Sequence, residues 1–245
     1  MKRLHILYTL LFIWLLPVTS NGQPAGKEKL RVISYNIWNG FEHDASRRAN
    51  FINWIKGQQP DILAMTELVG FTEKDLGQLA SEYGHKYYAI VKEEGYPVGI
   101  TSNEPITVVK KQMEGFWHGM LHVKTHGLDM IVTHLSPHDW KFRLKEAQML
   151  TSYIQDNQLD NCMVMGDFNA YSPFDADWVE THAQLIENMQ KWDAEQEAYR
   201  NMRDGRFDYS VLSKFLSIGL TDICRLYVPA DKRTTFPAAF LYGWQ

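Results

Sequence analysis

The sequence has little that would hold it in a membrane or on a polyanion. Its longest apolar run, Leu4 to Leu16, is interrupted by His5 and Thr9 and falls short of the ~20 residues a spanning helix needs. Lys2 and Arg3 precede that run, and the small residues Ser20, Asn21 and Gly22 follow it. That order is the order of a secretory signal, so residues 1–22 are expected to be removed and the protein exported, periplasmic or secreted. No cysteine stands near the end of this segment, which argues against lipid attachment there.

Positive charge is also scarce. Without Lys2 and Arg3 the chain carries 23 basic against 29 acidic groups, a net charge of −6. The basic residues are scattered, as in Arg47-Arg48, Lys110-Lys111 and Lys141-Arg143-Lys145, and read as solvated faces rather than a nucleic-acid footprint. The balance argues against tight, salt-driven DNA binding, although an enzyme can cut DNA without holding it tightly.

Only two cysteines are present, Cys162 and Cys224. Export would permit a bridge between them. Cys162 lies in the apolar run Asn161 to Met165, however, and a buried thiol is the expected state. There is no internal repeat, low-complexity tract or linker, so residues 23–245 are read as one domain and as a monomer with no stable protein partner. With 45% hydrophobic residues and eight Trp, that domain can bury a substantial core.

Strand and helix periods alternate along the chain. Leu30 to Trp38 has a strand period; Asp44 caps a helical stripe through Phe51, Ile52 and Ile55 that ends at Gly57. Further strands are expected at Ile62–Glu67, Tyr87–Val91, Val98–Thr101, Ile106–Lys111, Phe116–Lys124, Leu128–His134 and Cys162–Met165. A helix is expected over Trp140–Asp156, helix-prone sequence over 174–203, a helix within Asp208–Leu220, and irregular chain from Thr221. Strands outnumber helices and many are joined by short turns, which predicts an α+β fold of two packed, largely antiparallel sheets with helices outside.

Four of these strands end in a polar residue. Asn36 sits in Ser-Tyr-Asn-Ile-Trp-Asn, Glu67 ends Asp-Ile-Leu-Ala-Met-Thr-Glu-Leu, His134 ends Met-Ile-Val-Thr-His-Leu-Ser-Pro, and Asp167 and Asn169 follow Met163 to Met165 in Met-Gly-Asp-Phe-Asn-Ala. Burying such groups costs free energy unless they are paired or hold a metal. Magnesium takes oxygen ligands, commonly one or two carboxylates, and leaves room for water and phosphate. Taken singly each residue has an ordinary use: an Asn in a ladder, a Glu surfacing, a structural His, an Asp-Phe-Asn turn.

Their order and context resemble the endonuclease/exonuclease/phosphatase superfamily, from about Leu30 to Pro237, with Gly-Asp-Phe-Asn the most specific element. The stretch from Gly95-Tyr-Pro-Val-Gly to Pro105-Ile106 resembles the family's middle strand pair. The resemblance implies a four-layer α/β/β/α sandwich and a magnesium-dependent phosphoesterase, with manganese as a substitute. It implies Glu67 as principal metal ligand with Asn36 beside it. Asp167 would orient or deprotonate the attacking water, Asn169 would hydrogen-bond a phosphoryl oxygen, and His134 would stabilise the transition state or assist the leaving group. The substrate would be a phosphate ester: a small phosphodiester, a phospholipid head group or nucleic acid.

The sequence departs from that family in one respect above others. The closing strand and the Ser-Asp-His segment are not found, and the last histidine is His182. A C-terminally truncated domain of low activity and poor solubility is therefore expected. A degenerate member that only binds a phosphorylated ligand is a second reading. A zinc site of His118, His122 and His126, spaced by four, is a third, although the flanking Gly119, Val123, Thr125 and Gly127 favour a strand there.

Overall fold

The computed structural model describes residues 29–196 and 198–233. The segment read as a secretory signal, residues 1–22, lies outside the described residues. So does the chain after residue 233.

Strands β1 (Val32–Asn36), β2 (Ile62–Thr66), β3 (Tyr87–Ile90) and β4 (Gly99–Ser102) form one sheet in the order β1-β2-β4-β3. Strands β5 (Thr107–Gln112), β6 (Met120–Thr125), β7 (Leu128–His134) and β8 (Cys162–Asp167) form a second, in sequence order. Pairing is antiparallel except at β1–β2 and β7–β8. Those two parallel pairs need crossovers, which α2 (Ala45–Gln58) and α4 (Trp140–Asp156) supply. Parallel pairing has a consequence for the site: it sets the carboxyl ends of both strands side by side. Asn36 comes opposite Thr66, and His134 opposite Asp167.

The layers follow from alternation along the strands. Leu63 and Met65 of β2 pack against Phe51, Ile52 and Ile55 of α2 and against Leu76 and Leu79 of α3 (Glu73–Glu82). Ile62 and Ala64, pointing the other way, meet Leu121, Val123, Met130 and Val132 of the facing sheet. Ile131 turns outward to Ala147, Leu150 and Ile154 of α4 and to Val211 and Phe215 of a later helix over Ser210–Leu216. The result is a four-layer α/β/β/α sandwich. Beyond β8 come α5 (Ala176–Glu180), α6 (Ala183–Glu195), a hairpin of β9 (Met202–Arg203) and β10 (Arg206–Phe207), α7 (the Ser210–Leu216 helix) and α8 (Ile223–Tyr227).

Several expected boundaries move, each for a local reason. The first strand stops at Asn36 rather than Trp38, because Trp38, Asn39, Phe41, Glu42 and His43 all take positive φ in a tight turn around α1 (Trp38–Phe41). The sixth begins at Met120; before it, Met113 to Phe116 form a turn in which Phe116 N donates to Met113 O at 3.1 Å. Helix α3 was not foreseen; it starts with a capping box in which Thr72 and Asp75 satisfy each other's backbone N–H. The 174–203 stretch breaks into two helices and one strand of the hairpin. The chain from Thr221, expected to be irregular, holds α8. Asp44 does cap α2, accepting from the N–H groups of Ser46 and Arg47. Both cysteines are free thiols, and Cys162 is half-buried rather than fully enclosed.

Candidate active site

Glu67 follows directly on β2 with φ of +60°, a conformation unfavourable for a residue with a Cβ. Three hydrogen bonds hold it there. Gly40 N donates to Glu67 O at 2.8 Å, Asn39 N to Oε2 at 2.8 Å, and Asn36 Nδ2 to Oε1 at 2.8 Å. Gly40 is required for this approach, because a Cβ there would lie 2.1 Å from Val69 O.

From the second sheet comes Asp167, at the end of β8. Gly166 precedes it with φ of +130°, and a Cβ there would lie 1.7 Å from Thr133 O, so only glycine lets β8 close against β7 at this point. Asp167 Oδ1 accepts from Asn169 N at 2.9 Å, and Oδ2 accepts from Asn36 Nδ2 at 3.1 Å. One amide group therefore spans the gap between the two sheets and touches both carboxylates. Among the described residues no Lys or Arg pairs with either of them.

His134 completes the cluster. Its Nε2 lies 4.0 Å from Asp167 Oδ2 and 3.2 Å from Asn169 Nδ2. That same Nδ2 donates to Leu135 O at 3.0 Å, which fixes the orientation of the amide. Nε2 of His134 is thus an acceptor, and the neutral ring carries its proton on Nδ1, a buried atom with no hydrogen-bond partner. Burial holds the imidazole pKa below its usual value, while Asp167 and Glu67 pull it upward. Against its face stacks His118, ring centroids 4.4 Å apart and planes at 24°. His118 is pushed down to about 3 by burial first and then by His134, Lys92 and His138, so it is neutral.

The five residues singled out in the sequence, Asn36, Glu67, His134, Asp167 and Asn169, are therefore brought together at the carboxyl ends of the two parallel pairs. Two details differ from expectation. Asn36 Oδ1 accepts from Trp38 N at 2.8 Å, so its amide NH2, not its oxygen, faces the carboxylates. Asn169 commits its amide hydrogens to His134 and Leu135 rather than leaving them toward a phosphate. None of the five residues lines either of two cavities of about 420 Å3, one around Pro60 and His85 and the other around Gln190 and Met202.

The proposed zinc trio is separated. His122 lies on β6 with Nδ1 2.8 Å from the Tyr153 hydroxyl and Nε2 2.8 Å from Asp129 Oδ1. His126, four residues and about 13 Å further along the strand direction, bonds Asn103, and His118 faces His134. Among the described residues no three His, Cys, Asp or Glu side chains gather as a metal cage.

Sequence reasoning missed His118 as a neighbour of His134, and it missed Glu146. The Glu146 carboxylate, fully buried on α4, accepts Trp117 N at 2.8 Å and Ser136 N at 2.8 Å, tying together two loops beside the cluster. Burial pushes its pKa up to about 7. The signal was available: Arg143, Glu146 and Leu150 lie at helical spacing on one face, so two charges fall on the stripe that packs inward.

The sequence profile of the Endonuclease/Exonuclease/phosphatase family matches residues 33–215. No curated protein matches the chain. Among solved structures, an AP endonuclease from Archaeoglobus fulgidus is similar at 20% identity and a TM-score of 0.54, over 88% of this chain and 82% of that one. The 3′ phosphatase NExo from Neisseria, bound to a product DNA hairpin, is similar at 17% identity and a TM-score of 0.57, over 82% and 76%. At such identities the likeness is one of fold.

Proposed function

The chain belongs to the endonuclease/exonuclease/phosphatase family, and from that premise we propose that it is a magnesium-dependent phosphoesterase acting on small phosphodiesters or phosphomonoesters. The observation that carries the proposal is the Asn36 bridge. It holds Glu67 and Asp167 on one amide, two oxygen-rich anions with no Lys or Arg paired to either among the described residues. Such a pair is unfavourable alone and suits a hard divalent cation. Glu67 and Asp167 would hold it, with Asn36 orienting both. Magnesium bound there supplies neutralisation of phosphoryl charge and a more acidic water.

The remaining chemistry belongs to the protein. Asp167 would orient a water and take its proton, and His134 Nε2, 4.0 Å away, would be the next acceptor in line. Protonated on both nitrogens, His134 would set positive charge beside the phosphoryl oxygens as the bond to the alcohol breaks. Asn169 acts by holding that ring in one orientation. A small substrate is favoured over nucleic acid by the net negative charge and the scatter of basic residues, and the N-terminal segment supports export as part of the same reading.

Hydrolysis of bis(p-nitrophenyl) phosphate by the purified chain with magnesium or manganese tests this, with Asp167→Ala alongside. Metal-dependent turnover lost in the variant is expected. A second reading is a phosphate-ligand binder without turnover. Ligand-dependent stabilisation of a well-folded protein that never turns over would favour it.

A further inference from the structure

A row of aromatic rings leads away from the cluster. His134 stacks on His118; His118 meets Tyr96 at 5.4 Å and Trp117 at 6.5 Å; Trp117 packs on His138 at 4.2 Å; and His138 stacks on Tyr199 at 5.1 Å with planes 10° apart. The inner members, His118 and His134, are buried, whereas Trp117 and Tyr199 are 49% and 37% exposed. An exposed tryptophan joined edge to face with a stacked His–Tyr pair, beside a reactive centre, is a surface for a flat ring.

The row is built, not incidental. Four separate loops supply its members outside β7, and hydrogen bonds fix the three that carry Trp117, His138 and Tyr199. Glu146 holds Trp117 N and Ser136 N from beneath, the Ser136 hydroxyl accepts His138 N at 3.2 Å, and Arg200 N donates to His138 O at 2.7 Å. His138 Nδ1 donates to Ala198 O at 3.2 Å, and its Nε2 has no partner among the described residues, leaving an acceptor on the surface. A surface so ordered loses little conformational entropy when a ring settles on it.

We infer that Trp117, His138 and Tyr199 form a subsite for the ring-bearing alcohol of the substrate, a sugar or a base next to the phosphate being cleaved. This rests on the phosphoesterase reading, because it places the phosphate at the Asn36 bridge and the ring outside it. Binding energy gathered by the outer rings would hold the phosphate over Asp167.

The test compares two diesters with the same ring-free leaving group, ethyl thymidine 5′-phosphate and diethyl phosphate, by the rate of ethanol release. The ratio of their kcat/KM values is expected to fall about tenfold in Trp117→Ala, the loss typical of a removed stacking platform, and to recover in Trp117→Phe. A ratio that stays constant overturns the subsite, even if both rates fall together. Thermal stabilisation by thymidine 5′-phosphate, glucose 6-phosphate and ethyl phosphate gives a readout independent of turnover. Ring-dependent stabilisation lost in Trp117→Ala, in a protein that hydrolyses nothing, would keep the subsite and refute the hydrolase. Neither turnover nor ring-dependent stabilisation would refute both. Equal effects of the sugar and nucleoside phosphates would identify the sugar as the ring bound; an effect of the nucleoside alone would identify the base.

Discussion

Two buried histidines on neighbouring strands, His122 on β6 and His134 on β7, each stand beside an aspartate, and their surroundings are opposite. His122 has both ring nitrogens bonded at 2.8 Å, to Tyr153 and to Asp129, and Lys124 adds a cation 3.6 Å from the same carboxylate. His134 has one nitrogen without a partner and the other 4.0 Å from Asp167, a carboxylate whose remaining contacts come from Asn36 and Asn169. Both ring nitrogens of His122 are used within the fold. Around His134 the inventory is incomplete among the described residues: carboxylates with no Lys or Arg beside them, and a polar atom without a bond. A closed set stabilises structure; an open one is completed by something from outside.

The largest effect should come from the open set. Asp167→Asn is expected to lower kcat by about 10^3-fold or more, the scale of losing a proton acceptor together with a metal ligand. In metal-free buffer the same variant should melt no lower than the parent, because it removes one of two like charges held by a single amide. A variant that lost activity and several degrees of melting temperature together would show that Asp167 is part of the scaffold.

Helix α4 serves both sets, offering Tyr153 to His122 and Glu146 to the loops beside His134. The folded pKa of Glu146 lies near 7 against 4.5 for a free glutamate. Between those values the folded state binds more protons than the unfolded one, so this group makes stability fall as pH rises from about 4.5 to 7, by ~3 kcal/mol at most. Two backbone N–H groups and Arg143 oppose the shift but do not overcome burial. Urea unfolding at pH 5 and pH 7.5 should show this slope in the parent and a flatter one in Glu146→Gln. An unchanged slope would assign the pH dependence to other groups.

Much of this was legible in the sequence. Periodicity placed β7 and α4 at their observed bounds, and the polar residues closing Ile62–Thr66 and Met163–Met165 marked the cluster before any contact was known. What could not be read was what the third dimension adds. That Asn36 would turn its nitrogen toward the carboxylates depends on Trp38 N claiming the oxygen, through a turn of positive-φ residues that no strand period announces. Asn169 looked like a phosphate ligand because its partner, Leu135 O, is 34 residues away. The even spacing of His118, His122 and His126 suggested a shared face, but a strand sets such residues about 13 Å apart, and only contacts with α4 and with His134 reveal their separate uses.

The smallest of the three effects would come from the closed set. Replacing His122 with Phe keeps a ring between β6 and α4 but strands two partners, the Tyr153 hydroxyl and the Asp129 carboxylate. Both sit toward the protein edge, where water and Lys124 can compensate in part, so the expected cost is ~2 kcal/mol of folding stability. Phosphoester turnover per folded molecule should stay within about threefold of the parent, since no bond of His122 reaches the strand-end cluster. A large loss of turnover with unchanged stability would erase the distinction between the two histidines. It would mean that the outer face of this sheet communicates with the carboxyl ends of its strands through β7, whose residues lie between them.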